Sequence, residues 1–146
     1  MRKDSHMTYL RSLLVTAACA ISISNLAAAN LKVIANSSVR VSAVSVDELK
    51  NVFLITKTSF SDGSHVEPIL EKGGPTHEAF IKEYLGKSNA ALQTYYRSLV
   101  FTGKASMPKT LAADAEVVAY VAKTKGAVGY VGAGASTAGV KTLEVK

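Results

Sequence analysis

Cysteine is almost missing from this sequence. Cys19 is the only one in 146 residues, and it falls in the N-terminal leader described below. The remaining chain therefore has no disulfide framework and no thiol chemistry. Runs of like charge are also missing. The formal charge is +6, from 17 basic and 11 acidic residues, but the basic side chains stand singly among acidic ones. That spacing excludes a nucleic-acid stripe or a polybasic membrane patch. No Ser-His-acid or G-x-S-x-G arrangement is present, so no nucleophile, base and orienting group assemble, and the reading is non-enzymatic. Histidine is scarce. Beyond the leader there are only His65 and His77. No cysteine or carboxylate spacing makes them a metal pair, so surface or capping roles are expected, with no metal and no cofactor. Gly129-x-x-Gly132-x-Gly134 lacks the dinucleotide spacing and lies far from an opening βαβ unit.

The N-terminus is read as a leader. Arg2, Lys3 and Arg11 make a basic start, Leu13 to Leu26 is apolar and small, and Ala27-Ala28-Ala29 supplies a cleavage signal before Asn30. The apolar run is too short and too rich in Ser and Ala for a membrane span. Residues 1–29 are therefore expected to be a secretory signal peptide, and the product periplasmic or secreted. The leader reads equally well from Met7. Residues 30–146 carry 14 basic and 10 acidic residues and have the length of one domain.

Along that domain, Leu31 to Asn36 is a buried first strand. Ser45-Val46-Asp47-Glu48 is a capping box, and Val46, Leu49 and Phe53 give the helix it opens one apolar face. Val66 to Leu70 is a second strand. Pro68 inside it predicts an edge position or a late start, because proline lacks the ladder donor. A helix then runs to Leu85 and stops at Gly86. Another starts at Ser88 or Asn89, runs to Phe101 and stops at Gly103. Asp114 opens a fourth helix with Val117, Val118 and Val121 inward. Ala127 to Val131 and Val140 to Val145 close the chain as strands. Strands alternating with helices predict an α/β domain with a mixed, mostly parallel sheet.

The second strand meets its helix at Leu70-Glu71-Lys72-Gly73-Gly74-Pro75-Thr76-His77. Two glycines and a proline mark a strand-turn-helix junction. The N–H groups at a helix start carry partial positive charge and suit an anion. Gly73, Gly74, Thr76, His77 and Lys72 are therefore the candidate ligand-binding residues.

Four segments resemble the type II periplasmic solute-binding proteins, the phosphate-binding ones in particular. Val46 to Lys57 is similar to L-x-x-D-E-L-x-x-I-F-x-G-K, and Phe60-Ser61-Asp62-Gly63 to W-x-D-G. Tyr95 to Gly103 resembles a segment of small single-domain relatives, and Gly126 to Val131 is similar to G-A-I-G-Y-V. The family's phosphate turn resembles R-x-D-x-S-G-T-T-x-x-F. Aligned on Phe80, Leu70 stands at the Arg position, Lys72 at the Asp, Gly74 at the Ser, Pro75 at the Gly and His77 at the second Thr. Thr76 alone is retained. The resemblance implies a single lobe of that fold that binds or presents a small anion such as phosphate for an ABC-type transport or sensing system. A transporter permease, an envelope protein or a second copy of the chain would complete the site. The alternative is an envelope interaction module in which the lobe fold is kept and the ligand site is lost.

Overall fold

A computed structural model describes residues 31–146; the leader assigned to residues 1–29 lies outside them. The described residues form β1 (Leu31–Ala35), β2 (Ala43–Val44), α1 (Val46–Phe53), β3 (Glu67–Glu71), α2 (Pro75–Phe80), α3 (Asn89–Phe101), β4 (Lys109–Leu111), α4 (Asp114–Lys123), β5 (Ala127–Gly132) and β6 (Lys141–Val145). A single π-helical turn, Ile81–Leu85, continues α2 directly. The strands make one sheet in the order β2-β6-β1-β5-β3-β4. Three of its pairings are parallel, β2 with β6 and β3 with both β4 and β5. β1 is antiparallel to both its neighbours.

Side-chain alternation along the strands sorts the core into two layers. Val33, Ala35, Leu70, Val128 and Tyr130 face α1, α2 and α3, together with Leu49, Phe53, Phe80, Leu92 and Tyr96. Ile34, Ile69, Ala127 and Val131 face α4 through Val117 and Val121. Helices therefore cover both faces, as the near-continuous apolar run of β5 requires.

The expected capping box is present. The Glu48 N–H donates to Ser45 Oγ at 3.1 Å, and the Ser45 N–H returns a bond to Glu48 Oε2 at 3.3 Å. Glu48 also accepts from the Ser61 N–H at 2.9 Å, so one carboxylate joins the first two family-like segments. Hydrogen bonding from Ser61 holds that carboxyl below its usual range. At the other end of α1, the Thr56 N–H reaches Asn51 O and the Ile55 N–H reaches Val52 O. This is a Schellman closure, in which glycine is the usual left-handed residue. Ile55 occupies that conformation instead, at φ 59°. The hydroxyls of Tyr95 and Tyr96 donate to Leu54 O and Phe53 O, at 2.6 and 2.5 Å, and pin α3 to the same end.

Pro68 is resolved by the register. β3 lies inside the sheet, but its pairing with β4 begins only at Ile69. The Glu67 N–H points to Gly126 O on the β5 side, so the ring nitrogen of Pro68 points to the opposite side, beyond the end of β4. The missing donor faces no strand.

Asn36, the polar residue that follows β1, is buried. Its Nδ2 donates to Val121 O at 2.7 Å and Ala122 O at 3.1 Å, and its Oδ1 accepts from the Ser38 N–H at 2.9 Å. One side chain thus satisfies carbonyls at the end of α4 that have no intrahelical donor. Asn36→Ala is expected to cost about 1–3 kcal/mol, the penalty for leaving such groups unpaired. A chemical-denaturation midpoint equal to the parent's would contradict this.

Candidate functional site

β3, β4 and β5 run in parallel, so their carboxyl ends lie on one edge. The chain leaves β3 toward the face that carries α2 and leaves β4 toward the opposite face, which carries α4. A crevice where neighbouring strands send their helices to opposite faces is where α/β sheets commonly take ligands. Glu71 ends β3, Gly132 ends β5, and Asp114 opens α4 after β4, all at this edge.

The predicted junction sits here. Gly74 precedes the first turn of α2 at φ 95°, a left-handed value that glycine accepts without strain. Pro75 takes the first helical position, where its missing N–H costs nothing. Among the described residues no side chain caps this helix start, so the N–H groups of Thr76 and His77 have no capping partner there. Lys72, Gly73, Gly74 and Pro75 are exposed and Thr76 is half-buried.

His77 departs from the surface or capping role expected of it. It is 1% exposed, and both ring nitrogens are engaged. Nδ1 meets the Tyr130 hydroxyl and Nε2 meets Asn89 Oδ1 at 3.1 Å. The Tyr130 hydroxyl also accepts from the Glu71 N–H at 3.0 Å. One proton arrangement satisfies every atom: Glu71 N–H to Tyr130 O, Tyr130 O–H to Nδ1, and Nε2–H to the Asn89 amide oxygen. In that arrangement Nδ1 accepts and Nε2–H donates, and the ring anchors α2 to β3, β5 and α3. The helical spacing of His77 with Phe80, Ile81 and Tyr84 was the available signal for this burial. Below it Tyr130 stacks on Phe80, with centroids 3.9 Å apart and planes 9° from parallel.

Sequence reasoning missed the acidic pair at this edge. Glu71 is 5% exposed, and among the described residues its Oε1 has no hydrogen-bond partner. The neighbouring acid at this edge is Asp114, whose Oδ2 accepts the Gly132 N–H at 3.1 Å. Burial first, then the hydrogen bond and negative charge of Asp114, push the Glu71 carboxyl up to about 8. The two residues are 43 positions apart in the chain, and only the strand order brings them together. No strong local pattern marks either residue.

No family model matches this sequence, and no curated protein does. Solved structures do match. A putative phosphate ABC transporter substrate-binding protein with bound phosphate from Clostridium perfringens aligns with TM-score 0.60 and 15% identity, over 80% of this chain and 44% of that one. An ABC-type phosphate transport receptor from Vibrio cholerae gives TM-score 0.54 at 12% identity, over 80% and 46%. PstS from Borrelia burgdorferi gives TM-score 0.54 at 12% identity, over 80% and 47%. The chain spans less than half the length of each. Its described residues share the α/β fold of the matched part of these structures.

Proposed function

We propose that this protein is an exported, non-catalytic, single-lobe binding protein that holds a small anion such as phosphate at the start of α2. The observation that carries this reading is the uncapped turn at the carboxyl edge of the sheet, exposed from Gly73 to Pro75 and half-buried at Thr76. Lys72 stands beside it. His77 serves the site from behind by fixing the turn, and its ring does not touch the ligand. The fold shared with phosphate receptors supports the same reading.

Magnitudes limit what the turn does alone. A charge at a helix N-terminus gains about 0.3–1 kcal/mol, and about 2 in the best partly buried cases. Binding at 1 mM corresponds to about 4 kcal/mol. The carboxyls of Glu71 and Asp114 at the same edge oppose an anion further. A second surface must therefore complete the site, whether a transporter permease, another envelope protein or a second copy of the chain. Calorimetric titration of the purified chain with phosphate, sulfate and small carboxylates is expected to show weak heats only at about tens of millimolar ligand, the range that about 2 kcal/mol allows, and these fall in Lys72→Ala. Absence of heat and of thermal shift with every anion would remove this reading.

One observation favours an interaction module instead. Phe101, at the end of α3, is 93% exposed, and its neighbour Val100 is exposed beside it. An apolar side chain held this far into solvent marks a contact surface when it belongs to a larger patch. Sedimentation separates the two readings, because self-association lost in Phe101→Ser but indifferent to anions belongs to the module.

A further inference from the structure

Apolar exposure on this protein is concentrated at one corner. Among the described residues the exposed large apolar side chains are Val46, Val100, Phe101 and Met107, and all but Val46 lie between positions 100 and 107. Phe101, the last residue of α3, is 93% exposed. The loop after it folds back over the helix end, with the N–H groups of Lys104 and Ala105 reaching Leu99 O at 2.9 and 3.3 Å. Ser98 O takes the Thr102 N–H and hydroxyl, and Val100 O takes the Gly103 N–H. Carbonyls that end a helix commonly need water. Those of Ser98, Leu99 and Val100 are satisfied within the chain, so the corner can leave water without stranding them. Its charge is of one sign. From Tyr84 to Ala113 the sequence has no Asp or Glu but holds Lys87, Arg97, Lys104 and Lys109, a local bias that the whole-chain balance conceals. Arg97 lies one helical turn before Phe101 and Lys104 shortly after it, and both are exposed. One acid, Glu67, shares a shallow hollow with Met107 and Lys109, and it accepts from the Tyr120 hydroxyl at 3.4 Å.

We propose that this corner docks the protein on a bilayer containing anionic lipid, with Phe101, Val100 and Met107 entering the headgroup boundary and Arg97 and Lys104 meeting the lipid phosphates. The proposal rests on the contact surface at Phe101 described above and is independent of anion binding at α2. Apolar residues flanked by Lys or Arg are what a surface-bound segment needs, the first to bury area and the second to meet negative headgroups. A second copy of the chain would bring the same positive charges against the corner, so charge opposes self-pairing. The satisfied carbonyls leave little at the helix end for a partner's backbone to pair with, which favours lipid over a protein. No described helix is long and apolar enough to cross a membrane, so the contact is peripheral. Two exposed cations do not make a polybasic stripe. The apolar tip supplies the anchorage and the cations select the lipid.

The chain has no tryptophan, so Phe101→Trp places a single fluorophore at the tip. With vesicles of phosphatidylglycerol and phosphatidylcholine in equal parts, its emission is expected to shift to shorter wavelength. The shift should shrink with phosphatidylcholine alone and at high salt. Ser136→Trp should not shift, because the segment after β5 packs on the α4 face of the sheet and α3 on the other. In cosedimentation with the mixed vesicles, Phe101→Ser should weaken binding about tenfold or more, the scale of burying one Phe. Arg97→Gln and Lys104→Gln should each weaken it about fivefold. Lys72→Ala should bind as the parent does. These side chains are exposed, so every variant should keep the parent's melting temperature, and comparing full-length variants holds any contribution of residues 1–29 constant. An emission of Phe101→Trp that lipid leaves unchanged, an equal shift in Ser136→Trp, or parent-like binding in Phe101→Ser overturns the proposal. So does self-association lost in Phe101→Ser without vesicle binding, which keeps the contact surface and gives it to a second copy.

Discussion

Tyr130→Phe is expected to cost about 2–4 kcal/mol of folding stability although it leaves the ring, and hence the packing, in place. The stacked contact with Phe80 and the tilted one with Phe53 survive this change. What disappears is a hydroxyl that accepts from the Glu71 N–H and donates to His77 Nδ1. Both partners are buried, and each unpaired buried polar group costs about 1–3 kcal/mol. The urea midpoint should fall by about 1–2 M, given slopes of about 1–3 kcal/mol per M for small proteins. His77→Ala should cost a similar amount, and the double variant less than the sum, because the two residues share one hydrogen bond. Strict additivity, or an unchanged midpoint in Tyr130→Phe, would show that the hydroxyl bridge does not hold β3, β5 and α2 together.

The second large effect is on pH. Burial and the neighbouring Asp114 raise the Glu71 carboxyl from 4.5 to about 8 in the folded protein. The unfolded chain therefore releases this proton near pH 4.5 while the folded chain keeps it. Across that window the folded state binds more protons, so stability falls as pH rises and levels off above about 8. The direction is opposite to that of an ion-paired carboxylate. The groups around Glu71 are Asp114 from α4 and, through its backbone, Tyr130 from β5, with His77 of α2 behind the tyrosine. Lys72, next in the chain, is exposed. Glu71→Gln cannot ionise and should lose this part of the slope, becoming more stable than the parent at pH 9 and little different at pH 4. Asp114→Asn should reduce the slope without abolishing it, because burial is the larger cause. Unfolding measured across this range checks the sign, and a parent whose stability rises from pH 5 to 8 by an amount Glu71→Gln does not alter would refute it.

Much of the fold was legible because its signals are local. Ser45 and Glu48 lie one helical turn apart, and Gly86 and Gly103 mark helix ends by adopting φ 62° and 69°. β2 and β4 were not legible. They contain two and three residues, with Lys109 and Thr110 exposed, and exist as strands only because β6 and β3 offer edges to pair with. The site was legible in part for the same reason. The Gly73-Gly74-Pro75 turn can be read from composition. The meeting of Glu71 with Asp114, and of His77 with Tyr130, follows from strand order, which no local pattern encodes.

Strand order also dictates when this protein can fold. β1 is the earliest described strand, yet Leu31 pairs with Gly132 and Val33 with Leu143. The centre of the sheet joins the start of the described chain to its last two strands. Such distant pairings carry a large loop-closure cost and slow folding. During synthesis, helices and the β3-β4 pair can form early, but β1 has no partner until residues 127–145 have been made. The apolar residues Val33, Ile34 and Ala35 stay available to chaperones until those two strands have emerged.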